Sequence, residues 1–234
     1  MTERKIQLTG ASNVRDLGGY PTRNGKKTKM GRFIRAAGLE GLTDSDIQIL
    51  LDYGVKVNLD LRTTSESERW PDRLLSIPEI AYYQVSLLDG LDLANPPQSL
   101  GALYTEALDQ CKPYFKTSFE LMTQYLEKPF LFHCSAGKDR TGMIAALLLD
   151  LAKVDQELII ANYTESVSNL GPLIEKFAQE NDPKLRAFLS SNRTDIEPFL
   201  KNLETQYGGS EGYLQAIGLS EKNIENLRES FLAF

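Results

Sequence analysis

Apolar residues follow two rhythms along the chain. Through the first half they form runs of strand length: Phe33–Leu39 (FIRAAGL), Val55–Arg62 (VKVNLDLR) and Ile80–Leu88 (IAYYQVSLL). Short apolar runs of this kind read as strands. Between the first two, LTDSDIQILLDYG carries its apolar residues at helical spacing. Thr43 stands at the N-cap, Asp46 at the capping-box position and Gly54 just past the end, so both boundaries of a helix are marked. Thr64–Trp70 (TSESERW) predicts a further short helix. Strands interleaved with helices predict an α/β sheet that is at least partly parallel. Asp89–Gln98, acidic and rich in proline, predicts a loop with the character of a lid.

After Tyr104 the pattern turns mostly helical. Lys112–Leu126 predicts one helix that ends before Pro129. Pro129–Cys134 (PFLFHC) predicts a short buried strand, and Thr141–Ala152 (TGMIAALLLDLA) a buried helix. Further helices are predicted at Gln156–Ser168, Pro172–Glu180, Lys184–Leu189 and Asp195–Tyr207, and a last one from Ser220, whose serine is a cap. No repeat, low-complexity segment or long linker interrupts the chain. The expectation is one domain over residues 1–234, with a helical C-terminal portion from about residue 154 to 234.

Composition narrows the function. The chain has 234 residues, 41% hydrophobic and 25% charged, which suits an ordinary globular protein with a substantial core. A net charge of −6 argues against general nucleic-acid binding. An anionic substrate must therefore be drawn by local charge. MTERKIQLTG has no apolar signal core, so no secretory peptide is expected, although export by a leaderless route stays open. The longest apolar run, Met143–Leu149, stops at Asp150, which predicts no stable membrane insertion. Two cysteines, Cys111 and Cys134, form no disulfide framework and fit a reducing compartment, the cytoplasm. The single histidine, His133, adjoins Cys134. Adjacent side chains of a strand point to opposite faces, so His133 is badly placed to act as a base for Cys134. Papain-like and Ser–His–Asp chemistry are thereby made improbable, and so is a four-ligand zinc site. No metal and no cofactor are expected.

The stretch HCSAGKDRTG, His133 to Gly142, joins a strand to a helix. The first amides of a helix have no partner inside it, and such a place attracts anions. A cysteine there feels the helix dipole and nearby cations, which lower its pKa. Ser135, Ala136 and Gly137 are small enough for backbone amides to approach an oxyanion. Arg140 can hold two oxygens of a tetrahedral anion with its planar fork. Thr141 places a hydroxyl where it can donate to the thiolate. Together these groups suit in-line attack of sulfur on phosphorus.

With its leading histidine, Cys-x5-Arg-Thr resembles the signature loop of the cysteine-dependent protein tyrosine phosphatases. Lys138 and Asp139 before the arginine resemble the bacterial and fungal tyrosine/lipid phosphatase subgroup. NVRDLGGY (Asn13–Tyr20), LDLRTTSESE (Leu59–Glu68), ANYTESV (Ala161–Val167) and YGGSEGYLQAIGLSEKNIENLR (Tyr207–Arg228) resemble other segments of that subgroup, so the resemblance spans nearly the whole chain. It implies a central sheet flanked by helices, with additional C-terminal helices. It also implies a metal-independent phosphomonoesterase with Cys134 as nucleophile and Arg140 as phosphate clamp. Ser135, Ala136, Gly137, Lys138, Asp139 and Thr141 would surround the substrate. Phosphotyrosine protein is the implied substrate, with phosphoserine/threonine and phosphoinositides allowed because Lys138 adds charge at the rim.

Such phosphatases need a carboxylic acid for the leaving oxygen. RWPD (Arg69–Asp72) resembles the acid-bearing loop of many tyrosine phosphatases, but Asp72 lies 62 residues before Cys134, too far for that loop, and reads better as a turn. The resemblance favours Asp89, at the end of the third strand, with Asp92 as a near neighbour and Asp139 as the other candidate. His133 is expected to support the loop. Arg15, Asp16, Asp60 and Arg62 are expected to form bracing ion pairs, and Tyr82, Tyr83 and Tyr104 to pack in the core or line a cleft. Three rivals stay open: a phosphate-binding module of weak or no turnover, a rhodanese-like sulfurtransferase, and a P-loop NTPase. The last is disfavoured by Asp139, where magnesium binding needs Ser or Thr.

Overall fold

The computed structural model describes residues 4–92, 94–170 and 191–233. At its centre is a five-stranded sheet, ordered β1 (Arg15–Asp16), β3 (Phe33–Ala36), β6 (Phe130–His133), β4 (Val57–Asp60) and β5 (Ala81–Gln84). β3, β6, β4 and β5 are parallel, and β1 pairs antiparallel with β3. β2 (Lys27–Thr28) pairs separately with β7 (Leu232–Ala233). Every residue of β3, β4 and β6 is buried, as parallel strands covered on both faces require. Alternate residues serve opposite faces. Phe33, Phe130 and Phe132 join the larger apolar cluster, while Ile34 and Leu131 join the smaller one, with Leu39, Ile47 and Leu50.

The strands are shorter than the apolar runs that predict them. Leu39, Leu61, Val85 and Leu87 lie beyond the paired residues yet stay in the core, because the chain is already turning into the loops of the sheet edge. The first helix, α1 (Asp44–Asp52), has the expected box between Thr43 and Asp46, and Gly54 takes a φ of 91°. α2 (Thr64–Arg69) is boxed by Thr63 and Glu66. α3 (Leu100–Gln110) is capped by Ser99, and α4 (Lys112–Gln124) ends two residues before the expected Leu126. α5 (Asp139–Leu151) begins two residues before its apolar run, since its first turn is polar. The expected helix Gln156–Ser168 is broken at Glu165 into α6 (Gln156–Thr164) and α7 (Ser166–Asn169). Helices Arg193–Tyr207, Ser210–Ala216 and Glu221–Ser230 follow. The expected helices at 172–180 and 184–189 lie outside the described residues. Among the described residues, no helix is long and apolar enough to cross a membrane.

Four parallel strands place their C-terminal ends on one edge, the usual position for ligands in such sheets. β6 lies between β3 and β4. The loop that follows it is therefore flanked by the chain leaving β3 at Ala37–Gly38 and the chain leaving β4 at Leu61–Thr63.

Candidate active site

The loop between β6 and α5 is held by its carbonyls. Ser135 O accepts from the Gly38 N–H at 2.9 Å. Ala136 O and Gly137 O accept from Asn13 Nδ2 at 3.1 and 3.0 Å, and Gly137 O also accepts from Arg35 Nη2 at 2.7 Å. In a planar trans peptide the N–H points away from the C=O. Tying these carbonyls to one side turns the following amides to the other. Together with the amides that open α5, these are groups able to cradle an anion. Gly137 is required: its φ is 63°, and a Cβ there would lie 2.2 Å from Ala36 O.

Cys134 is buried at the base of this loop. Burial pushes its pKa up, but the charge of Arg140 and the hydroxyl and amide of Thr141 outweigh burial and the opposing Asp139, so the thiol lies below its ordinary value. The Thr141 hydroxyl makes no other hydrogen bond among the described residues.

Arg140 is fixed from α2. Its Nη1 and Nη2 donate to the two carboxylate oxygens of Glu66 at 2.6 and 2.8 Å, and Nη2 reaches Ser135 Oγ at 3.2 Å. Glu66 also accepts from Ser135 Oγ at 2.5 Å and from the Thr63 amide at 2.9 Å. Burial works against its charge, yet Arg140, Ser135 and Thr63 hold the carboxyl far below the usual range. One residue thus caps a helix and aims the arginine.

Lys138, expected at the rim, is fully buried, with its Nζ 3.3 Å from Asp139 Oδ1. The same oxygen accepts from the Tyr104 hydroxyl, and Tyr104 and Tyr163 share a hydrogen bond of 2.8 Å. Burial first, and then the charge of Asp139, push both phenols up, so both remain hydrogen-bond donors.

Behind the loop His133 Nδ1 lies 3.2 Å from Cys134 O, and Nε2 lies 2.8 Å from Asp72 and 3.8 Å from Asp60. The aspartate of RWPD is therefore buried, where it caps the 3-10 helix Arg73–Ser76 and binds Asn58 Nδ2 at 2.8 Å. Arg62 grips Asp60 with Nε and Nη2. Asp60, Asp72 and His133 bring ligand-type atoms within 4.8 Å of one another, but these hydrogen bonds already engage both carboxylates, and the group forms a charge network. Arg15 and Asp16 do not pair with each other: Asp16 binds the Gly18 and Gly31 amides and the Tyr53 hydroxyl, while Arg15 binds Asn13, Asn162 O and Ser166 and pairs with Glu165 at 3.9 Å.

Asp89 is exposed on a turn closed by its amide to Ser86 O, and it lies beside Cys111, where burial chiefly, and the carboxylate in addition, push the thiol up to about 11. The Leu87 N–H donates to Leu61 O, which puts this turn on the same sheet edge as the cysteine loop. Asp92 binds Ala94 N and Asn95 Nδ2. Asn13, Arg35 and Glu66 are not among the expected site residues. Two carry a partial signal: Asn13 opens NVRDLGGY, and Glu66 completes a capping box.

A family model described as "Tyrosine phosphatase family" matches residues 6–233. A tyrosine-protein phosphatase of Nostoc commune is 36% identical over 217 residues, 84% of this chain and 72% of that one. The triple specificity protein phosphatase PtpB of Mycobacterium tuberculosis is 26% identical over 271 aligned positions, 95% of this chain and 97% of the other. These matches support a phosphatase, not a binding module or a sulfurtransferase. The span of the match takes in every residue of the site, and the chain belongs to the tyrosine phosphatase family, as an enzyme of the protein-tyrosine-phosphatase kind.

Proposed function

We propose that Cys134 is the nucleophile of a phosphomonoesterase that acts on phosphotyrosine through a phosphocysteine. The observation that carries this reading is a buried thiol of lowered pKa at the start of a helix, faced by Thr141 and Arg140. The thiolate attacks phosphorus in line: an S–P bond forms, the P–O bond to the leaving group breaks, and the leaving oxygen takes a proton from a carboxylic acid. Water then attacks phosphorus and gives a proton to the same carboxylate. The S–P bond breaks, and inorganic phosphate departs. Arg140 and the loop amides hold the equatorial oxygens. Thr141 donates to the departing sulfur. None of these steps calls for a metal ion.

For the acid we assign Asp89. Its support is an exposed carboxyl on the turn that shares the sheet edge with the loop. Asp139 is the rival. Its Oδ1 is already engaged by the Lys138 ammonium and the Tyr104 hydroxyl, which ties this carboxylate to the loop and away from a leaving group. A range wider than phosphotyrosine is supported by the relative named for triple specificity. Phosphoserine/threonine peptides and phosphoinositides are the substrates to compare.

The test is phosphate release from p-nitrophenyl phosphate in EDTA. Wild type turns over. Cys134→Ser loses at least about a thousandfold. Asp89→Asn loses about a hundredfold, together with the limb of the pH profile that reports the protonated acid. Turnover by Cys134→Ser overturns the mechanism. A loss confined to Asp139→Asn moves the acid to that residue.

A further inference from the structure

Two buried guanidinium groups lie behind the loop, and neither has a role in the reaction described above. Arg15 in β1 and Arg35 in β3 are both fully buried, and the antiparallel register sets them directly opposite each other. Such neighbours stand about 5 Å apart at Cβ, so two like charges face one another. A buried charge is costly unless it is paired. Arg15 has Glu165, at 3.9 Å. Arg35 has no carboxylate at ion-pair distance among the described residues. Its Nη1 donates to Asn162 Oδ1 at 2.6 Å and its Nη2 to Gly137 O at 2.7 Å, and its Nε has no partner. Both acceptors are neutral. Nη2 also lies against the start of α5, where a Cβ on Gly142 would be 3.8 Å away.

We propose that the counter-charge of Arg35 is the anion of the loop itself: the Cys134 thiolate in the resting enzyme, then the phosphate of bound substrate and of phosphocysteine. Arg35 is a positioning residue that acts through Gly137 and through its field. It is a further cation, behind the cradle, while Arg140 lies in front and Lys138 is held by Asp139. The charged and titratable groups around it are Arg15, Glu165, Tyr20 and Tyr163, and those around the thiol are Arg140 and Asp139. Burial lowers the guanidinium pKa only to about 10, while Cys134 is among the groups that raise it, so Arg35 stays charged at neutral pH. This inference rests on the assignment of Cys134 as nucleophile.

Asn162→Asp tests it. The change keeps the shape and gives Nη1 a carboxylate of its own. The thiol pKa, read from the pH dependence of alkylation by iodoacetamide, should rise by about one unit, and the inhibition constant of orthophosphate should rise about tenfold. Asn162→Ala removes the same hydrogen bond without adding charge and should leave both readouts near wild type. Arg35→Lys should hold the thiol pKa close to wild type, and Arg35→Met should raise it. Wild-type values in Asn162→Asp, or equal shifts in the aspartate and alanine variants, overturn the proposal. Turnover by Cys134→Ser defeats the site assignment itself, whereas a silent Asn162→Asp in an enzyme that needs Cys134 defeats this inference alone.

Discussion

Glu66 has one task that is local and a second that is not. Three residues after Thr63, it completes the capping box of α2. Its second task is not legible there, because Arg140 is 74 residues away in the chain. Cys134, Arg140 and Thr141 were readable because they are neighbours on one loop. Glu66, Arg35 and Asn13 reach that loop only through the folded chain, and Asn162 reaches it only through Arg35. Glu66→Gln keeps the shape but turns an amide N–H₂ towards a guanidinium N–H. Breaking one partner of a hydrogen-bonded charge pair costs more than the pair contributes. kcat/KM should fall about ten- to a hundredfold, largely through KM, with weaker orthophosphate inhibition; an unchanged KM would show that Arg140 finds its aim without the carboxylate.

At the scale of elements, β6, the loop and α5 are the most legible part of the chain, since an apolar strand, a small-residue loop and an apolar helix follow one another with no gap. What their order does not reveal is how the loop is kept open. That depends on Asn13, beside a β1 of two residues that does not stand out, and on the chain leaving β3, which is legible as a strand but distant from the loop in sequence. The close approach of Gly137 to Ala36 marks the joint. Gly137→Ala meets both a positive φ and a backbone oxygen at 2.2 Å. Strain of this kind costs about 1–3 kcal/mol, which corresponds to a Tm lower by roughly 2–12 °C in a domain of this size. The loop must shift to relieve it. Calorimetry and orthophosphate titration should therefore show phosphate affinity falling further than stability alone would require. A variant that loses Tm but binds phosphate as wild type would place the strain elsewhere.

For the whole molecule, one histidine among 234 residues makes proton linkage near neutral pH unusually simple. Burial opposes the charge of His133, but Asp72 and Asp60 raise its pKa above 6.5. The folded protein keeps a proton that the unfolded chain gives up at about pH 6.5. Stability from this source is complete below that pH and is lost as pH rises through the raised value. Cys134 works in the opposite sense. Its folded pKa is below 9.0, so its contribution is present above that pH and is lost as pH falls through the lowered value. The His133 window opens at about pH 6.5 and the Cys134 window closes at 9.0; where they overlap, the two groups contribute slopes of opposite sign, each up to about 1.4 kcal/mol per pH unit. From pH 7 to 8.5 the urea midpoint of the wild type should change less than that of either single variant. Cys134→Ser removes the rising slope and leaves the falling one, so its midpoint should drop over that range. His133→Asn, with the thiol intact, should rise. A flat Cys134→Ser curve would mean that His133 is neutral in the fold, and that Asp72 is a buried carboxylate balanced by Asn58 and backbone amides alone.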